Sequence, residues 1–503
     1  MVTAHDSALP PSAAPGAPGA PEQWTPRLVF SLVSIVLLLE MLTISYLMIA
    51  MALPTITTHY QTSQGAWLLT AFLLLGAVAA PLVGRLADLH GKRRMLLVCV
   101  AGSALGSLLS AVATSYGVLL AGRALSGLLV PCLFLSYSLI RDVFPARTVA
   151  LAVSVATSGM GLVAIPAPFL TGWLIDDHGF RSIFWFSLIG LVVLGAMIAV
   201  STDESPVRSR ARLDLLGAGL LGGGIAGILV AVSFGPTWGW TSGRTLGYLV
   251  AGVVLVAAWL LSARTITEPL IDIDVLRRRP VLLTTISAGF VYGSSALFTM
   301  LLPMIAMTPA VLGPGYGFGL SAEGFAVFQA PIGAMVMVGG LVVGLLVGRR
   351  MRPQPLLVAG LLIMAAGFAA VGVAHDGKGL LIGLAGVFGF GQGLGYAAIP
   401  NLLIAAVPPQ LQASTASIVG VFQSAFPAIL PVVVFAVLNN SYVAPLPPEM
   451  TGGAVLYTND GYLVAFSISA GAAVIGALVA ALLPRTIRQV DAPAAADAVV
   501  LTH

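Results

Sequence analysis

Glu40 is an acid in the middle of an apolar stretch, residues 28–52. It stands about 12 residues into that run, so a helix would carry it roughly 18 Å deep, near the middle of a bilayer. It is the acid of the sequence expected at that depth. A carboxyl that alternates between an apolar setting and the neighbourhood of a guanidinium can take up and release a proton, which is the chemistry of a carrier. The plainer alternative is a protonated glutamate bonded to a helix backbone. Arg123 lies inside a second apolar run, 117–140. A guanidinium in hydrocarbon is costly unless paired, which makes it a functional candidate; the alternative is a side chain that snorkels to the interface. The two are expected to face one central cavity.

A third set lies close together in GRLADLHGKRR, residues 84–94. Gly84 and Gly91 permit close helix approach and a tight turn. Asp88, at a helix end, can accept hydrogen bonds from the N-terminus of a helix in another part of the chain, where the dipole is positive. Its expected position is near Ser414 and Thr415. Lys92, Arg93 or Arg94 is expected to reach Asp142. Together these residues would latch one end of a channel shut. Gln392, Gln423 and Ser424 interrupt apolar runs and are candidates for lining a cavity, or else simply pack helices. The glycine-rich GFGQGLG of 389–395 is no phosphate loop, because no strand and no Lys-Ser/Thr accompany it. There is no metal cluster and no nucleophile–base pair, so neither an enzyme nor a metal or other cofactor is expected; the proton would be the coupling ion.

These residues need elements that hold them within a membrane. The chain is 58% hydrophobic and 8% charged, with a mean hydropathy of +1.00. A soluble domain would carry roughly a quarter charged residues. Fourteen apolar runs recur, at 28–52, 65–86, 95–115, 117–140, 148–173, 182–201, 213–235, 245–262, 281–307, 321–347, 355–374, 379–405, 414–437 and 461–484. Each is long enough to cross a bilayer. The 57 glycines and 32 prolines are tolerated in spanning helices, where small residues allow close packing. Fourteen crossings put both termini on one side. Of the 23 basic residues, nineteen fall on that side, three on the other, and Arg123 within a run. That bias makes the termini cytoplasmic. Cys99 and Cys132 each fall within an apolar run and read as reduced core residues.

The stretch PLVGRLADLHGKRR (81–94) is echoed by GLVVGLLVGRRMRPQ (340–354), about 260 residues on. Two six-helix halves would be closer, so two helices are inserted between them. The expected organisation is an all-α integral membrane protein: a disordered cytoplasmic tail at 1–26, a six-helix bundle at 27–201, two inserted helices at 213–262, a cytoplasmic amphipathic linker at 263–280, a second six-helix bundle at 281–484 and a disordered tail at 489–503. Such repeats put the substrate site between the halves, near the midplane.

The 84–94 segment resembles the G-x-L-x-D-r-x-G-r-r loop of the major facilitator superfamily, matched at Gly84, Asp88, Gly91, Arg93 and Arg94, with Leu89 at a position usually basic. AGRALSGLLVP (121–131) resembles the arginine-bearing helix 4 motif of that superfamily's proton-coupled exporters. EPLIDIDVLRRRP (268–280) is similar to the linker of its fourteen-helix drug:proton antiporters and would suit a helix on an anionic membrane face. Two stretches depart from the pattern. GMGLVAIPAPFLTG (159–172) has fewer glycines than the usual helix 5 motif, and upstream of IAMALP (49–54) the position of the usual helix 1 aspartate holds Ser45. The resemblance implies a proton-coupled secondary transporter that exports small hydrophobic or amphipathic compounds by alternating access. An embedded acid on apolar faces suits lipophilic cations. A dedicated exporter of a native lipid or natural product, and with less support a nutrient symporter, are the alternatives. Expected partners are a small hydrophobic molecule, protons and the lipid bilayer, with no nucleic acid. The protein is expected to act as a monomer in a bacterial plasma (inner) membrane.

Overall fold

The computed structural model describes residues 24–62, 67–159, 163, 166–207, 214–266, 269–271, 273–306, 308, 316–320, 322–375, 377–438, 441 and 457–484. Most of both expected tails, with Arg208, Arg210, Arg212, Arg485 and Arg488, lies outside the described residues. The described residues are almost wholly helical. The first half holds α1 (Pro26–Tyr60), α2 (Trp67–His90), α3 (Lys92–Ala111), α4 (Tyr116–Ser126), α5 (Cys132–Val143), α6 (Ala146–Ser158), α7 (Pro166–His178) and α8 (Ser182–Ser201). Next come α9 (Leu215–Trp238), α10 (Gly243–Thr265) and the short α11 (Ile273–Arg277). The second half holds α12 (Arg279–Ala306), α13 (Ala322–Gly348), α14 (Pro353–Val373), α15 (Lys378–Ala406), α16 (Gln412–Leu438) and α17 (Asn459–Ala481).

Among the described residues, 13 spans are long and apolar enough to cross a membrane. α4 and α5 act as one of them, joined through a 3-10 turn at Gly127–Leu129. The pieces α6 and α7 supply the remaining crossing, giving fourteen. The α4–α5 break has a packing cause. A Cβ on Gly127 would strike the backbone carbonyl of Phe72, so α2 and this turn touch backbone to backbone.

The repeat seen in sequence is visible in structure. Gly91 begins the turn after α2 with φ 112°, and Arg350 makes the corresponding turn after α13 with φ 66°, a left-handed position that glycine fills more readily. Arg93 then caps the end of α8 by donating to the Ala199 carbonyl. Its counterpart Gln354 caps the end of α17, with Nε2 donating to the carbonyls of Ala480 (3.3 Å), Ala481 (3.2 Å) and Leu483 (2.8 Å). Each half thus ties its third crossing to the end of its sixth.

α9 and α10 stand outside the two bundles. They pack through Gly224, Gly227 and Gly252; a Cβ on Gly227 would lie 2.9 Å from both the Gly252 Cα and the Tyr248 carbonyl oxygen. α9 leans on α2, where Trp67 stacks on Phe234 at 3.6 Å. The linker differs from the surface helix expected at 263–280. Pro269 cannot continue α10, and among the described residues between α10 and α12 only Ile273–Arg277 turns into helix. Its apolar residues Leu270, Ile271, Ile273 and Val275 are buried, the first three with Leu221, Ile225, Trp259 and Ile418, so that side faces protein rather than a membrane surface. Asp214, capping α9 through Gly217 N (2.7 Å), also accepts from Leu270 N (3.2 Å) and holds the linker in place.

The halves meet unevenly. α6 lies along α13 and α15, and α2 along α16, whereas α7, the outer continuation of α6, scarcely meets α13. Among the described residues, the contacts between the halves therefore concentrate toward the face where α1 begins and α17 ends, called the basic face below, and are few toward the far face.

Candidate functional site: a sealed basic face and polar groups between the halves

The basic face is sealed by side chains of the 84–94 segment and its surroundings. Asp88, one turn from the end of α2, is buried, and its carboxylate meets the N-terminus of α16. Oδ1 accepts from Ala413 N at 3.2 Å and Oδ2 from Ser414 N at 2.8 Å. Those amides are among the orphan donors of a helix start, so an acid there gains both hydrogen bonds and dipole. Gly84 makes the approach possible. A Cβ at this position would lie 2.7 Å from the Ala413 carbonyl oxygen and 2.8 Å from Ser417 Cβ.

Lys92 is fully buried. Its Nζ donates to Asp142 Oδ2 at 2.5 Å and to the Pro409 carbonyl of the second half at 3.1 Å. Arg141 donates to the Val407 carbonyl at 2.8 Å and to Gln412 Oε1. Arg93 and Arg94 do not reach Asp142. Their backbone amides donate instead to Glu204, at 3.0 and 2.9 Å, capping α3. Gly91 leaves room for that carboxylate, since a Cβ would come within 2.7 Å of it. Ser205 Oγ donates to the same Asp142 oxygen as Lys92, at 2.5 Å. A buried ion pair of this kind adds little net stability, but breaking it leaves a charge without compensation, so it fixes one arrangement of helices.

Deeper in the first half, Arg123 is buried rather than snorkelling. Its Nη1 donates to Ser45 Oγ at 3.2 Å, Nε reaches the Leu68 carbonyl at 3.5 Å, and the guanidinium lies 4.6 Å from the centroid of Phe72. Nη2 has no partner among the described residues. Glu40 is not paired with it. Five residues along a helix turn the side-chain direction by about 140°, so Glu40 and Ser45 point to different sides of α1. The Glu40 carboxyl faces the end of α6, where a Cβ on Gly159 would lie 3.7 Å from Oε1. The Val163 backbone lies beside it, short of hydrogen-bond geometry, and neither carboxyl oxygen has a partner among the described residues.

Polar side chains also gather where the halves face each other. Asn401 of α15 donates to Ser154 Oγ of α6 at 3.1 Å. Tyr292 of α12 and Tyr396 of α15 stack with ring centroids 4.4 Å apart and planes inclined 27°. Gln392 Nε2 donates to the Tyr396 hydroxyl at 3.0 Å, Ser295 Oγ donates to the Val291 carbonyl of its own helix at 2.8 Å, and Tyr137 of α5 lies near Tyr292. Gln423 is buried with its Oε1 unpartnered among the described residues, while Ser424 bonds back to the Gly420 carbonyl of its own helix. At the far face, His375 Nε2 meets Asn459 Oδ1 at 2.6 Å and the Tyr316 hydroxyl donates to the Tyr457 carbonyl at 2.6 Å; burial raises the Tyr316 phenol above its ordinary range.

Two bundles related by a repeat, with a glycine–acid–base latch at one end of their interface, describe a carrier, and residues 33–431 match the sequence pattern of the Major Facilitator Superfamily. The chain belongs to that superfamily. The transporter is 27% identical over 376 residues to the tetracenomycin C resistance and export protein of Streptomyces glaucescens, covering 72% of this chain and 67% of the relative. It is 29% identical over 416 residues to multidrug resistance protein Stp of Mycobacterium tuberculosis, covering 81% and 74%. Its fold is similar to that of the human organic anion transporter MFSD10 (TETRAN), with a TM-score of 0.61 at 16% identity over 91% of this chain and all of that one. The transporter is thus a multi-pass membrane carrier of small molecules.

Several residues of the site carried no signal in the sequence. Glu204 and Ser205 follow an apolar run and read as loop. The tyrosines come from three separate runs. Arg141 counted only as a topological charge.

Proposed function

We propose that the transporter is a proton-coupled exporter of small hydrophobic or amphipathic compounds, working by alternating access. The observation that carries this reading is the asymmetry of the interface. Asp88, Lys92 and Arg141 bind across it at the basic face, and the halves part toward the other side. A site between the halves then opens away from the termini. The nineteen-to-three bias of basic residues supports a cytoplasmic basic face and cytoplasmic termini, and the bacterial source of the two relatives supports a bacterial plasma (inner) membrane. An opening toward the far side is the releasing state of an exporter. The names of the two bacterial relatives support the substrate class. The name of the Streptomyces relative favours, as a second reading, a dedicated exporter of a natural product.

Glu40 is the group we assign to the proton, the coupling ion and sole cofactor. An ionised carboxylate buried without a partner is costly, and a bound proton removes that cost. That neither Glu40 carboxyl oxygen has a partner among the described residues supports this role. Arg123, held by Ser45 and Phe72, supplies a fixed positive charge in the same half. When the helices shift, the carboxyl exchanges its apolar surroundings for a hydrated or positively charged one and releases the proton. One chain contains both halves and the whole path, so a monomer in the bilayer suffices.

The test is efflux of a panel of lipophilic dyes from cells making the protein, with and without a protonophore. Expulsion of many dyes, stopped by the protonophore, is the expected result. Expulsion that ignores the protonophore would refute proton coupling, and retention of every dye would refute the multidrug reading.

A further inference from the structure

We infer that the inserted hairpin, α9 and α10, is a brace on the basic-face seal: it travels with the first half and lets go of α16 each time that face opens. This rests on the alternating-access reading above. α9 touches both α2 of the first half and α16 of the second, where those two helices meet. Ala77 of α2 and Ile418 of α16 are buried in one apolar cluster with Leu221 and Ile225 of α9 and Leu270 and Ile271 of the linker. Ile418 stands one turn beyond Ser414, whose amide binds Asp88, and follows Ser417, which meets Gly84. The same turn of α16 therefore takes the acid latch on one side and the brace on the next.

The two grips of α9 differ. Against α2, Trp67 stacks on Phe234 at 3.6 Å, and eleven residues along α2 a Cβ on Gly222 would lie 3.2 Å from Val78 Cγ1. These contacts span roughly 16 Å of helix, so α9 follows α2 as one body. Its hold on α16 runs through the Ile418 cluster. In a bilayer such apolar packing has little hydrophobic drive behind it, so it can be broken and remade as helices move. Asp214 fixes the shape of the brace. Its buried carboxylate accepts from Gly217 N and Leu270 N, tying the linker to the start of α9. When α2 parts from α16 at the basic face, α9 goes with α2 and the Ile418 contact opens.

The experiment joins α9 to each neighbour in turn, in the purified full chain, whose native Cys99 and Cys132 are buried. Val78 faces Gly222 and Gly84 faces Ser417, so Leu221 and Ile418 fall within one turn of the same level. Leu221→Cys with Ile418→Cys ties α9 to α16, and Val78→Cys with Gly222→Cys ties it to α2; mass spectrometry counts the remaining thiols. In liposomes, with rhodamine 6G as the probe, oxidising the α16 pair is expected to slow transport at least about tenfold and dithiothreitol to restore it, whereas oxidising the α2 pair changes the rate less than about twofold. Recovery on reduction excludes misfolding. Full transport by the oxidised α16 pair, failure of that pair to join, or arrest by the α2 pair would overturn the inference. A second arm needs no substrate. Asp214→Ala, which frees the linker, should raise the population open at the basic face about three- to tenfold, read from spin labels at the basic-face ends of α2 and α16. Distances identical to wild type would refute the brace. No transport of rhodamine 6G or any other dye by the wild type defeats the exporter reading instead, and the spin-label arm then still decides the brace.

Discussion

Asp88→Asn is expected to swing the resting transporter toward opening at the basic face. Two backbone N–H donors converge on this side chain, from Ala413 and Ser414. A carboxylate accepts from both. An amide of the same shape accepts one and turns its own NH2 toward the other, so a bond is replaced by a donor–donor conflict. The negative charge at the start of α16 is lost as well. An acid in such a partly buried position contributes about 1–2 kcal/mol, equivalent to a population shift of roughly 5- to 30-fold. Spin labels at the basic-face ends of α2 and α16 should report a new, longer distance. Unchanged distances and unchanged transport would mean that the seal depends on Lys92 and Arg141 alone.

Glu40→Gln is expected to reduce proton-driven efflux to the level of cells lacking the protein, while the protein still folds and inserts. Glutamine fills the same space and mimics the neutral carboxyl, but it cannot give up a proton. Exchange of substrate for substrate across the membrane, which needs no net proton movement, should persist. That contrast separates a coupling residue from a structural one: a variant that merely misfolds loses both activities. Efflux at the wild-type rate would place the proton carrier elsewhere and leave Glu40 as a buried acid of the α1–α6 contact.

The crossings were legible because a bilayer demands a minimum run of apolar residues, and the run at 182–201 coincides with α8. The gate was legible because its residues are close in sequence and each type has one physical use: glycine for approach, acid for a helix start. The interior was harder. From periodicity alone, the five-residue step from Glu40 to Ser45 already puts them on different sides of α1, and it is Ser45 that meets Arg123. The α4–α5 break hid behind Gly127 and Pro131, residues that membrane helices tolerate without breaking. Tyr292 and Tyr396 are brought together by the packing of α12 on α15, and Tyr137 joins them only where the halves meet, so nothing local marks them. Glu204 acquires its role from the turn at Gly91, more than a hundred residues away.

The most direct measurement uses purified transporter in liposomes with an acidic lumen, where uptake of a fluorescent substrate is followed as protons leave. Proton-coupled exchange requires accumulation that grows with the pH difference, collapses on adding a protonophore and is absent with Glu40→Gln. Accumulation that proceeds equally without a pH difference would contradict it.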